Sequence, residues 1–91
     1  MTDQQLKENR STNLEHIEGL VGDCQFHKLG KKTTVCLLTM NNGFEIVGTS
    51  GVVDAAKYDA EIGNKIAKEN AIKKVWEIEG YRLQCLLAQH Q

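Results

Sequence analysis

The stretch "TTVCLLTMNNGFEIVG", residues 33–48, constrains the fold more than any other part of the chain. Two β-rich runs flank Asn42-Gly43, the dipeptide that most readily adopts the positive φ angles of a two-residue type I′ turn. The spacing predicts a β-hairpin. With Asn42 and Gly43 as the turn, Asn41 pairs with Phe44, Thr39 with Ile46 and Leu37 with Gly48 on one face. Met40, Leu38 and Cys36 then meet Glu45, Val47 and Thr49 on the other. Both faces carry apolar side chains, whereas a sheet wetted on one side leaves one face polar. A helix is therefore expected on one face and a second subunit on the other.

Upstream, Ser11 or Thr12 can cap a short helix through Leu14, Ile17 and Leu20 that Gly22 ends. "DCQFHKL" follows as a strand with Cys24, Phe26 and Lys28 on one side, and "GKK" as a turn. Downstream of the Gly48 to Gly51 connection, Asp54 and Asp59 are candidate N-caps. A long helix is expected to about Ile78, interrupted at Gly80, with a second short helix over Tyr81 to Ala88. Glu61 with Lys65 and Glu69 with Lys73 are favourably ordered i,i+4 pairs. The apolar stripe of the long helix changes sides, from Tyr58, Ile62, Ile66 and Ala67 to Ala71, Ile72, Val75 and Trp76. Its first half is expected to cover the sheet, and its second to pack on the terminal helix or a neighbouring chain.

The fold class expected is thus α+β, a small antiparallel sheet packed with a long C-terminal helix and a short terminal helix. At 91 residues the chain makes one domain, expected over residues 11–91 behind a flexible polar N-terminus at 1–10. A core this small often gains buried surface by self-association, so a homo-oligomer, dimer or higher, is expected. The formal net charge of −1 and the scattered lysines give no footprint for DNA or RNA. No apolar run approaches a bilayer span and the N-terminus lacks a signal peptide's apolar core, so no membrane partner and a host-cytoplasmic location are expected. Three widely spaced cysteines, Cys24, Cys36 and Cys85, suit neither a disulfide framework nor a paired-ligand zinc site.

No catalytic constellation stands out, and neither enzyme activity, metal nor cofactor is expected. His16, His27 and His90 fall in different elements. His27 with Cys24 makes a dyad only with a third, orienting group, and a structural or solvent-facing histidine is the plainer reading. "GTSG", residues 48–51, offers the hydroxyls of Thr49 and Ser50 and backbone N–H groups before a helix start, an arrangement that can receive phosphate. Its plainer role is to let the chain turn. Asp54 is both a good cap and a good acceptor for a ribose or base, and Phe44 is either core or a stacking surface for a base.

"NNGFEIVGTSGVVD" followed by "YDAEIGNKIAKENAIKKVWEIEGYRLQ" resembles the small phage protein family first named for gene products of phages N4 and Sf6. The likeness covers roughly residues 33–87, and its most specific parts are "NGFEIVG", "EIG.KIA.ENA" and "W.IEGY.L". The family looks like the one that contains the Thoeris anti-defence proteins of the first type. These are phage sponges that sequester the cyclic ADP-ribose isomer made by bacterial TIR immune enzymes, and some also hold cyclic di- or trinucleotides at a second site. The resemblance implies Phe44 as the base-stacking aromatic, and Asp54 where asparagine is expected. Ala55 stands where the family commonly has proline. The second site uses arginines in the family, and this chain offers only Arg10 and Arg82.

The function expected is therefore a phage anti-defence sponge that binds a cyclic nucleotide signal without cleaving it. Phe44, Thr49, Ser50 and Asp54 are its expected ligand-binding residues, in a pocket completed by a partner subunit. The rival is a small phage adaptor that binds a host protein through an apolar hairpin face.

Overall fold

The computed structural model describes residues 14–89. The expected flexible N-terminus, the Ser11 or Thr12 cap and His90 lie outside the described residues. The chain is α+β: helix α1 (Leu14–Gly19), strands β1 (Val21–Leu29), β2 (Thr33–Met40) and β3 (Glu45–Gly51), a 3-10 turn (Ala55–Lys57) and helix α2 (Ala60–Gln89). The strands form one antiparallel sheet in the order β1-β2-β3, and α2 lies over β3 and β2. Among the described residues, no helix is long and apolar enough to cross a membrane.

The hairpin is present, but its register differs by one residue from the expected one. Leu38 pairs with Ile46, Leu37 with Val47 and Cys36 with Gly48. The connection is the three-residue Asn41–Asn42–Gly43, closed by Gly43 N–H donating to the Met40 carbonyl (2.9 Å) and Met40 N–H to that of Phe44 (2.8 Å). Of these three loop residues only Gly43 takes positive φ, at 90°, whereas a type I′ turn needs it at Asn42 as well. The Asn42 side chain accepts from Phe44 N–H at 3.0 Å, which stabilises this alternative.

A one-residue slip exchanges the faces of one strand relative to its partner. Thr34, Cys36, Leu38, Ile46 and Gly48 all face α2 and are buried. The open face carries Val35, Leu37 and Val47 among threonines, with Val47 and Leu29 exposed. It is still partly apolar, for a different set of residues than the expected pairing gives.

The upstream helix ends at Gly19, and Gly22 lies inside β1 where the register shifts between Val21 and Asp23, so Gly22 is a bulge residue and not a helix stop. Asn41 ties the two ends of this region together. Its N–H donates to the Leu20 carbonyl (2.9 Å) and its side-chain amide to the Gly19 carbonyl (2.7 Å).

Both candidate caps act. Asp54 Oδ1 accepts from Ala56 N–H (3.0 Å) at the 3-10 turn. Asp59 Oδ1 accepts from Glu61 N–H (2.9 Å) and Ile62 N–H (3.3 Å) at the start of α2. The long helix then continues through Gly80 to Gln89 with no second helix. One exposed helical glycine lowers stability by about 1 kcal/mol, which a helix of this length tolerates. At ~1.5 Å per residue, its 30 residues span most of the 54 Å long axis.

The side of α2 that meets the sheet is lined by the small residues Gly63, Ala67 and Ala71, while Ile62 and Ile66 are exposed. The expected first-half stripe is therefore half misplaced: Ala67 and Tyr58, whose hydroxyl lies 2.9 Å from Thr34 Oγ1, meet the sheet, while Ile62 and Ile66 do not. The reason is closeness. A Cβ on Gly48 would lie 2.3 Å from the Ala67 carbonyl oxygen and 2.3 Å from the Ala71 nitrogen, so helix and strand backbones nearly touch. Further along, Ile72, Val75, Glu79 and Leu83 are the buried positions, and α2 meets α1 instead of a separate terminal helix. Trp76 is 38% exposed.

The helix also covers the outer edge of β3. Asn70 donates to the Thr49 carbonyl (2.7 Å) and Lys74 to the Val47 carbonyl (2.5 Å). These are the edge groups an incoming strand would use, so β3 is a protected edge.

Candidate functional site at the hairpin tip

The helix α2 runs antiparallel to β3, from Gly63 beside Ser50 to Arg82 beside Phe44. Where the hairpin tip, α1 and the second half of α2 meet, a cavity of about 300 Å³ opens. Met40, Phe44 and Ile46 wall it from the sheet, Val75 and Ile78 from the helix, and Glu79 and Arg82 supply charge. Phe44 follows the turn with 55% of its surface exposed. A mostly apolar cleft with few polar groups is the usual form of a small-molecule site.

Glu79 is only 5% exposed, yet it is ionisable and lies on the buried side of α2. Burying a carboxylate is unfavourable unless it is paired and hydrogen-bonded. Arg82, one helical turn on, grips it side-on: Nε donates to Oε1, and Nη2 to Oε2 at 3.0 Å. From α1, His16 Nε2 donates to Oε2 at 2.7 Å. The Arg82 hydrogen bonds pull the Glu79 carboxyl below its ordinary range, against the upward push of burial, with His16 adding to the pull. The guanidinium in turn is held more firmly protonated by Glu79. The cluster links α1 to α2 and sets a fixed, half-exposed cation beside the apolar cleft.

The other expected site residues lie elsewhere in the protomer. Thr49 and Ser50 are at the far end of β3 from Phe44, a separation of five or six residues, or about 17–20 Å in a strand. The Ser50 hydroxyl donates to the Gly63 carbonyl at 2.7 Å. Thr49 pairs with Val35 and projects on the open face. Asp54 is exposed, with Oδ1 serving as the cap of the 3-10 turn. One protomer thus gathers Thr49, Ser50 and Asp54 near the start of α2 but does not bring Phe44 to them.

Glu79 and Arg82 are absent from the expected site. Reading Gly80 as a helix break removed the i,i+3 relation that joins them. A continuous helix through "WEIEGYR" would have placed Glu79 and Arg82 on one side, next to Val75 and Ile78.

The thiol and imidazole of the weighed dyad are on opposite faces. Cys24 pairs with Leu38 on the helix side and His27 with Val35 on the open side, as three-residue spacing in a strand requires. Cys24 Sγ instead contacts Cys36 Sγ at 3.4 Å. Burial and the neighbouring Cys24 push the Cys36 thiol up to about 12, so it stays neutral and a poor nucleophile at physiological pH. Among the described residues no three His, Cys, Asp or Glu side chains gather as for a metal ion. A second cavity of about 330 Å³ lies beside β1, bounded by Cys24, Lys68 and Ile72.

No curated protein and no solved structure matches the chain. Residues 4–87 match the sequence model of the phage protein (N4 Gp49/phage Sf6 gene 66) family, and the chain belongs to that family.

Proposed function

We propose that this phage-family protein sequesters a cyclic nucleotide signal, of the cyclic ADP-ribose or cyclic oligonucleotide class, by reversible binding without cleavage. The observation that carries the reading is the hairpin-tip cleft. It joins an exposed aromatic ring, apolar walls and a fixed guanidinium, the three things a base and its phosphate need. Tight sequestration asks only for complementary contacts, and a protein working this way has no use for a general base or a metal. The family's phage origin fits a protein that disarms a host signal.

Calorimetric titration against a panel of cyclic ADP-ribose isomers and cyclic dinucleotides tests the reading, followed by heat denaturation and analysis of the released ligand. Intact ligand in the supernatant supports sequestration, degraded ligand marks an enzyme, and no retention of any panel member overturns the reading. Stacking on an aromatic is worth about 1–3 kcal/mol per base. Phe44→Ala should therefore weaken binding by roughly tenfold or more with the fold unchanged, as followed by circular dichroism. Wild-type affinity in a folded Phe44→Ala variant would place the ligand elsewhere.

Thr49, Ser50 and Asp54 join Phe44 only if a second copy supplies one of the two ends. Mixing Phe44→Ala and Asp54→Ala protomers tests this directly: a shared site regains binding in the mixture, whereas independent sites do not.

Self-association belongs to the same reading. The open face with Val35, Leu37 and Val47 and the half-exposed Trp76 are apolar surfaces a partner copy would cover. Light scattering coupled to size exclusion should show at least a dimer at tens of micromolar, shifted toward monomer by Trp76→Ala. A strict monomer would contradict it. The open face equally suits the rival adaptor role, which a stable complex with one host protein and no nucleotide binding would favour.

A further inference from the structure

We propose that Arg82 is the phosphate-recognising group of the hairpin-tip cleft, held in place by Glu79 and His16 as positioning residues; this rests on the small-molecule reading of that cleft. The guanidinium presents five N–H donors in a rigid planar fork. Its grip on Glu79 uses Nε and one hydrogen of Nη2, leaving Nη1 and the other Nη2 hydrogen for a ligand. Among the described residues no other hydrogen bond to the Arg82 side chain is present. The side chain is 49% exposed and lines the cleft, while the carboxylate that anchors it is 5% exposed, so the guanidinium is anchored from inside and remains accessible beside the cleft.

Arg82 and His16 both donate to the one Glu79 carboxylate. His16 gives Glu79 a second donor from a different element, so the carboxylate keeps a partner when Arg82 also engages a phosphate oxygen. A guanidinium with one edge fixed is already oriented, and the loss of side-chain freedom on binding is correspondingly smaller. The same cleft carries the Phe44 ring and the apolar Ile46, Val75 and Ile78. A ligand that places a phosphodiester or pyrophosphate on Arg82 and a base on Phe44 would use the whole cleft. An uncharged nucleoside would use only half of it.

The chain has two arginines, Arg10 and Arg82, so the arginine Nε–H region of a nitrogen-correlated NMR spectrum holds two signals, assigned by Arg10→Gln and Arg82→Gln. Titration with inorganic pyrophosphate should shift the Arg82 signal, and Glu79→Gln should raise the exchange of that N–H with water while the protein stays folded. Cyclic ADP-ribose binding, if present, should fall at least tenfold in Arg82→Gln and be partly kept in Arg82→Lys, which retains the charge without the fork. An Arg82 signal unmoved by either probe overturns the proposal. So does cyclic ADP-ribose binding that a folded Arg82→Gln variant retains at full strength, although sequestration would then stand. Pyrophosphate shifting Arg82 with no cyclic nucleotide bound keeps the anion site and rejects sequestration.

Discussion

Gly48→Ala should unfold the protein or bring it close to unfolding, the largest effect expected of any single methyl added to this chain. The new Cβ would sit 2.3 Å from two backbone atoms of α2 and 2.7 Å from a third, the Cα of Ala71. Backbone cannot rotate aside as a side chain can, so α2 must lift from β3. Lifting it opens the contact that buries Cys36, Leu38, Ala67 and Ala71, four of the core residues. Overpacking typically lowers stability by about 1–3 kcal/mol, and a backbone clash belongs at or above the top of that range. A domain of this size has only about 5–15 kcal/mol in total. Urea denaturation of Gly48→Ala against wild type measures the loss. Gly80→Ala is the contrasting case. Its Cβ meets nothing within 4 Å and its φ is ordinary, so the substitution should stabilise the exposed helix by up to about 1 kcal/mol. Equal denaturation midpoints for Gly48→Ala and wild type would show that α2 does not sit on β3 as described.

That close contact also shows where sequence reading worked and where it failed. The hairpin and the helix were legible because each is a local pattern: a turn dipeptide between β-rich runs, and capped, charge-paired helical residues. The pairing register was not, because Asn42-Gly43 fits both a two-residue and a three-residue loop, which differ by one residue in register. Hydrogen bonding of the Asn42 side chain to Phe44 N–H and the burial of Ile46 opposite Leu38 favour the longer one. The buried face of α2 was misread for a related reason. Looking for large apolar residues selects Ile62 and Ile66, but a helix that approaches a strand at glycine needs small ones, and Gly63, Ala67 and Ala71 recur every fourth residue. Gly48 in mid-strand was the available signal for a close backbone approach. Of the expected site, Phe44 lies in the cleft, while Ser50 ties β3 to the Gly63 carbonyl of α2 and Asp54 caps the 3-10 turn. Arg82 and Glu79 were hidden behind the supposed break at Gly80.

Acid should loosen the protein chiefly through Glu79. Its carboxyl titrates below the ordinary 4.5 when folded, because Arg82 and His16 hydrogen-bond the ionised form. The unfolded chain therefore binds a proton first as pH falls. The stability contributed by the cluster is complete above about pH 4.5 and drains away as pH drops from there through the folded value. Glu79→Gln removes the charge but keeps the shape, so its stability should vary less with pH between 5 and 3 than that of the wild type. At neutral pH, Glu79→Ala leaves Arg82 and His16 without their shared acceptor. Stripping one partner from a fully buried pair lowers stability by about 3–5 kcal/mol. Arg82 at 49% and His16 at 30% exposure can turn to water, which reduces the expected loss to roughly 1–3 kcal/mol. His16→Ala should be milder, since Arg82 still holds the carboxylate. Chemical denaturation of the three variants across pH 3–7 measures both effects together. Parallel wild-type and Glu79→Gln profiles would mean that α1 and α2 are held together by apolar contact alone, and that the cation beside the cleft is not fixed by its carboxylate.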